Sequence, residues 1–136
     1  MQINTYLNFP GTCREAFTFY EQALGGKITF IQTMGDSPMG GETPADQRDN
    51  VMHVTLDVGG QQLMGSDAPP EYYEKAQGFS VALHPEEAAE AERIFAALSE
   101  GGEVRMPMQK TFWAGRFGMC VDRFGTPWIV NCEKGD

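Results

Sequence analysis

The sequence predicts an α+β protein of two βαβββ units, arranged as a curved mixed sheet with a central cleft. Three observations predict it: two amphipathic helices that each end in a Gly pair, two related turns downstream of them, and one element order met twice.

The first helix reads "GTCREAFTFYEQALGG". Thr12 and Glu15 have the spacing of a capping box. Ala16, Phe19, Tyr20, Ala23 and Leu24 recur at helical spacing, and Gly25 and Gly26 stop it. The second helix reads "HPEEAAEAERIFAALSEGG". Pro85 suits a first turn, and Glu86 and Glu87 favour the positive end of the helix dipole. Ala91, Ile94, Phe95 and Leu98 form its apolar stripe, and Gly101 and Gly102 end it.

The two halves align. Glu-Ala pairs stand at 15–16 and 90–91, and "DVGGQQL" from Asp57 matches "DRFGTPW" from Asp122. The first half carries a longer connection, "GDSPMGGETPADQRDN". Strands are expected at about 2–9, 27–34, 51–58 and 61–67, and again at about 78–84, 103–108, 115–122 and 127–133. The repeat units run over about 1–68 and 78–136 of a single domain. Neither unit is large enough to bury a stable core by itself.

Alternation along each strand assigns its faces. Met52, Val54, Leu56 and Val58 are expected under the first helix, with Leu63. Phe117, Met119, Val121, Trp128 and Val130 take that role in the second unit, and Phe79, Val81 and Leu83 are core-like. The first strand is ambiguous, because Thr5 and Leu7 alternate with Asn4, Tyr6 and Asn8. The opposite face then carries His53, Thr55, Met64, Ser66, Ser80, Cys120, Ile129 and Asn131. A solvent face would hold more Lys and Glu, and a core face would lack His, Ser and Asn. The mixture suits a small-molecule cleft, or a wet seam between sheets.

Charge and cysteine usage exclude several classes. The 136 residues carry a net charge of −9, which disfavours nucleic acid and anionic membrane surfaces. An apolar run of spanning length and a signal peptide are both lacking, so a cytoplasmic location is expected. Cys13, Cys120 and Cys132 form no CxxC pair, which argues against a disulfide framework or a thiolate zinc site.

His53 reads either as a cleft histidine that hydrogen-bonds a ligand or shifts a proton, or as a satisfied polar residue on a half-buried sheet. A direct pair with Asp57 is excluded, because i and i+4 on a strand stand ~13 Å apart. Cys13 starts a helix, where the dipole can lower a thiol pKa, although most such cysteines are inert. In "KTFWAGRFG", Phe112, Trp113 and Arg116 suit a flat or anionic ligand at a cleft rim, or equally dimer packing. The acidic 35–50 loop is long enough to serve as a lid or a dimer arm.

The capped helix with "FYEQALGG" and the motif "DRFGTPWIVN" resemble the vicinal oxygen chelate superfamily, which includes glyoxalase I, bleomycin-resistance proteins and extradiol dioxygenases. "NTYLNFPGTCREAFTFY", "MHVTLDVGGQQLMGSD" and "FWAGRFGMCVDRFGTPWIVNCE" resemble its PhnB-like branch, across essentially the whole chain. That branch is often labelled a demethylubiquinone methyltransferase, yet no Gly-rich strand-to-helix loop for a nucleotide-like cofactor is present. The resemblance implies metal ligands on the first and fourth strands of each unit. By position these fall on Thr5, Met64, Ser80 and Ile129, none a good ligand. It places His53 off the ligand-bearing strands, opposite Gly118 in the second unit. The resemblance also implies a homodimer, because clefts in this superfamily are commonly completed across chains. The expectation is therefore a metal-free, cofactor-free small-molecule-binding protein, with His53, Thr55, Met64, Ser66, Ser80, Phe112, Trp113, Arg116, Cys120 and Asn131 at its site. The alternative is an enzyme of lyase, isomerase or dioxygenase type that depends on His53 or on an atypical metal.

Overall fold

The computed structural model describes residues 1–135. The chain divides into two compact units, Met1–Glu74 and Lys75–Asp136. The first holds β1 (Thr5–Phe9), α1 (Cys13–Leu24), β2 (Lys27–Thr33), β3 (Val51–Val58) and β4 (Gln61–Asp67). The second holds β5 (Val81–Leu83), α2 (Ala88–Ser99), β6 (Glu103–Gln109), β7 (Arg116–Val121) and β8 (Pro127–Cys132). Each unit builds a four-stranded mixed sheet, ordered β1-β4-β3-β2 and β5-β8-β7-β6. In each, the first strand pairs parallel with the last and the other pairings are antiparallel. This is the duplicated βαβββ pattern that the sequence predicts. Among the described residues, no helix is long and apolar enough to cross a membrane.

Both helices form where the apolar spacing places them, with different ends. The Thr12 side chain makes no capping bond. The buried Asp67 carboxylate, from the end of β4, instead accepts the Gly11 and Cys13 N–H groups at 2.9 Å each through Oδ1, and the Val51 N–H at 2.8 Å through Oδ2. One carboxylate thus ties the helix start and the β3 start to β4. Gly25 closes α1 in the left-handed region, φ 73°, where a side chain would strain the backbone. The buried stripe of α1 is Cys13, Ala16, Phe17, Tyr20 and Ala23, so Phe17 takes the core place expected for Phe19, which is half-buried. In α2 the expected stripe is buried, but the helix begins at Ala88 and leaves Pro85 outside it.

The core of unit one stacks Phe9, Phe17 and Tyr20 edge to face over Leu7, Val54, Leu56 and Leu63. That of unit two packs Ile94, Phe95 and Leu98 on Cys120, Trp128 and Val130. One cross-strand pair recurs with its members exchanged: Val54 faces Gly65, and Gly118 faces Val130. A Cβ on Gly65 would lie 2.6 Å from the Phe17 ring, and one on Gly118 would lie 2.8 Å from the Phe95 ring. Each helix therefore seats one phenylalanine over a glycine in its sheet.

Gly118 on the helix face corrects the face assignment of β7. Gly118 and Cys120 pair with Val130 and Trp128 under α2, whereas Phe117 and Met119 pair with Asn131 and Ile129 on the opposite face. The cause is turn length. The first hairpin has Asp57 opposite Gln62, and the second has Val121 opposite Pro127, so its turn is one residue longer. A slip of one residue exchanges every side chain between faces. The counterpart of His53 is therefore Phe117, not Gly118. The core-like assignment of β5 is weaker than expected too: Val81 and Leu83 are half-buried and Phe79 is exposed.

Candidate functional site

The face of the first sheet turned away from α1 gathers Tyr6 and Asn8 from β1, Met64 and Ser66 from β4, His53 and Thr55 from β3, and Phe30 and Gln32 from β2. The register fixes this set: Tyr6 lies beside Met64, Met64 beside Thr55, Phe30 beside Thr55 and Gln32 beside His53. Leu7 and Phe9 are buried under α1, which resolves the ambiguous first strand and turns Tyr6 and Asn8 outward.

His53 is the hub of this face. Its Nδ1 lies 3.1 Å from the Tyr6 hydroxyl, which reaches over β4, and its Nε2 lies 3.0 Å from Thr55 Oγ1. A neutral imidazole has one donor and one acceptor nitrogen, so one hydroxyl donates to the ring and the other accepts from it. In either tautomer one hydroxyl proton is left to a further acceptor. Neither hydrogen-bond partner of His53 is a carboxylate. The Ser66 hydroxyl lies 3.5 Å from Asn8 Oδ1. Asp57 stays at the hairpin end of β3, where its Oδ1 accepts the Gly60 N–H at 3.0 Å.

Phe117, His53's counterpart in the second unit, lies 5.2 Å from Trp113, which lies 4.6 Å from Phe112. The tip that carries them is fixed by Thr111, whose hydroxyl accepts the Ala114 N–H at 3.0 Å. Asn131 stands beside Phe117, and its buried Oδ1 has no hydrogen-bond partner among the described residues. Ser80 is half-buried, just before β5.

Two expected site residues lie elsewhere. Cys120 is buried on the α2 face, where burial pushes its thiol pKa up. Arg116 alternates with Phe117 and turns towards α2, where its Nε is 3.2 Å from Glu92 Oε1 and its Nη1 donates to the Gly115 carbonyl. Its charge is engaged there, not at a rim with Phe112 and Trp113. Cys13 is fully buried, and burial, reinforced by the Asp67 carboxylate, pushes its thiol well above the ordinary range. Desolvation outweighs the helix dipole there, in keeping with the inert role that helix-start cysteines more often have. Sequence reasoning missed Tyr6, Asn8, Phe30 and Phe117. Alternation of Leu7 with Phe9 was the available signal for the first two.

The register also corrects the ligand positions implied by the resemblance. On the first strands they fall on Tyr6 and Ala82, opposite Met64 and Ile129, and not on Thr5 and Ser80. A phenol, a thioether and two hydrocarbons do not make a divalent-metal donor set. Among the described residues no three His, Cys, Asp or Glu side chains are grouped to hold an ion.

Paired βαβββ units with these strand orders define the vicinal oxygen chelate fold. Within it, residues 1–131 match the family model described as 3-demethylubiquinone-9 3-methyltransferase, and the chain belongs to that PhnB-like family. It is similar to Protein YjdN of Escherichia coli K12, at 31% identity over 142 residues, covering 98% of this chain and 97% of that protein. Among solved structures it is similar to protein PA1353 from Pseudomonas aeruginosa, at 52% identity and a TM-score of 0.90, with 98% of each chain covered. It shares its fold with the PhnB protein from Bacillus cereus, at 24% identity and a TM-score of 0.76, covering 97% of this chain and 99% of that one.

Proposed function

We propose that this protein binds a small organic molecule on the outward face of its first sheet, without a divalent metal. The observation that carries the reading is the Tyr6–His53–Thr55 hydrogen-bonded chain. It occupies the face on which the superfamily implies metal ligands, and the implied positions there hold Tyr6 and Met64. Ser66 and Asn8 extend the polar surface, and Met64 supplies an adaptable apolar contact. In the second unit Ser80, Phe112, Trp113 and Asn131 belong to the same reading.

Methyl transfer from a nucleotide-like cofactor is disfavoured on local grounds. The N-terminus of α1, where such a cofactor's phosphate or carboxylate would seat, is filled by the Asp67 carboxylate. A homodimer is part of the proposal, as the resemblance implies, and light scattering tests it.

The binding test is a fragment screen followed by NMR. Fragments are expected to shift the resonances of Tyr6, His53 and Thr55, and His53→Ala is expected to weaken them about tenfold. A screen in which no fragment moves these residues would overturn the reading. Stoichiometric Zn, Ni, Fe or Mn in purified protein would overturn its metal-free part.

A second reading, a His53-dependent enzyme, is favoured by the Tyr6 hydroxyl at 3.1 Å from the ring, in reach for proton transfer. Turnover of a fragment, abolished by His53→Gln, would establish it.

A further inference from the structure

The face proposed above has a chemical bias that its hydrogen bonds do not set. Tyr6, His53 and Phe30 form an aromatic stripe across the sheet. The Tyr6 and His53 rings are 5.6 Å apart at 33°, and the His53 and Phe30 rings are 5.9 Å apart at 45°. In the core of the same unit, Phe9 with Phe17 and Phe17 with Tyr20 stand nearer to perpendicular, at 84° and 68°, while Phe9 with Tyr20 is tilted at 46°. Tyr6 is 45% exposed and Phe30 50% exposed, so the two ends of the stripe are open.

Charge is distributed to match. The first unit, residues 1–74, has three Lys or Arg against ten Asp or Glu, a net charge of −7 out of the chain's −9. None of its three cations serves the stripe. Arg14 is exposed on α1, and Arg48 donates to the Gly35 and Gly40 carbonyls within the 34–50 loop. Lys27 lies on the same face as the stripe but stands opposite Asp57 at the hairpin end of the sheet. An aromatic surface in a negative field, where the ammonium on that face, Lys27, stands opposite the Asp57 carboxylate, attracts cations and repels anions.

From these observations we infer that the ligand of this face is a planar organic cation, stacked on Tyr6, His53 and Phe30. The inference rests on the proposed binding face and adds the charge and shape of its occupant. The π-faces attract the positive ring, and the acidic unit raises its local concentration.

Fluorescence titration of the full chain with two planar probes tests it, N-methylacridinium as the cation and anthracene-9-carboxylate as the anion. N-methylacridinium is expected to bind at least about tenfold more tightly at low salt, and to lose several-fold in affinity at high salt. Phe30→Ala and Tyr6→Ala are each expected to weaken it about fivefold, and Tyr6→Phe to preserve it, since the ring and not the hydroxyl does the stacking. Phe30→Leu and Tyr6→Leu serve where an Ala variant fails to fold. Gln32→Lys, which sets a cation beside His53, is expected to weaken N-methylacridinium and strengthen the carboxylate. Phe124→Ala, an aromatic in the β7–β8 turn of the second unit, is expected to change nothing.

Equal or tighter binding of the anion would overturn the inference, as would indifference to the loss of both rings. Failure here is separable from failure of the proposed function. If only neutral or anionic fragments shift His53 and Thr55, the face is a binding site and the cation assignment is wrong. If no fragment shifts them, both fall.

Discussion

Removing the Asp67 carboxylate should destabilise this protein far more than removing the residue that looks like the helix cap. Asp67 is 3% exposed and accepts three backbone N–H groups, from Gly11, Cys13 and Val51. Two of these bonds are buried, so Asp67→Ala leaves two donors with no partner and no water. Each orphaned donor costs about 1–3 kcal/mol. Eliminating a buried charge offsets part of that, so a net loss of about 2–4 kcal/mol is expected. That is a large share of the roughly 5–15 kcal/mol by which a domain is stable. Asp67→Asn keeps one acceptor oxygen and turns an N–H towards another N–H, and about half the loss is expected. Thr12→Ala removes a hydroxyl that caps nothing, and a change within about 0.5 kcal/mol is expected. Urea unfolding of the three variants beside the parent measures all of this. A Thr12→Ala loss equal to that of Asp67→Ala would refute the assignment of the cap.

Two further perturbations test the packing and the thiols. Gly65→Ala sets a methyl 2.6 Å from the Phe17 ring and 2.8 Å from the Leu7 carbonyl oxygen, and a backbone oxygen cannot step aside as a side-chain tip can. A loss of about 1–3 kcal/mol in urea unfolding is expected, partly recovered in Gly65→Ala/Phe17→Leu, and a neutral single variant would refute the close approach. Cys13 has its pKa raised in the folded chain, so its contribution to stability is complete below about pH 9 and declines as pH rises, because only the unfolded thiol ionises there. The stability gap between the parent and Cys13→Ala should therefore narrow by about 1.4 kcal/mol between pH 8 and pH 10, and a constant gap would contradict the buried thiol.

Legibility of the fold followed the range of the interactions. Helices, hairpins and the repeat are written in spacings of a few residues, and these were readable. The cap of α1 was not, because Asp67 lies 54 residues from Cys13 and only folding brings them together. Thr12 and Glu15 offered a local substitute that the chain does not use. The buried stripe of α1 was read one step out of place because Phe17 and Phe19 are alike in chemistry and differ only in which arc of the helix meets Gly65.

The candidate site shows the same limit more sharply. On β3 apolar and polar residues alternate cleanly, and His53 and Thr55 were placed on the right face. On β7 the outward residues are Phe117 and Met119, and the inward ones are Gly118 and Cys120. Hydrophobicity alone then inverts the strand, and only the extra residue in the β7–β8 turn reveals it. That inversion removed Cys120 from the site and turned Arg116 towards Glu92. It also set Phe117 where the first unit has His53, so the two halves diverge at their equivalent centre. The two units share their strand order, while one carries a hydrogen-bonding imidazole at this position and the other an aromatic ring. The first unit also carries nearly all the net negative charge. If the proposed face is the binding site, tests that probe Tyr6, His53 and Phe30 bear on it more directly than those aimed at the second unit, where Phe117 replaces the imidazole.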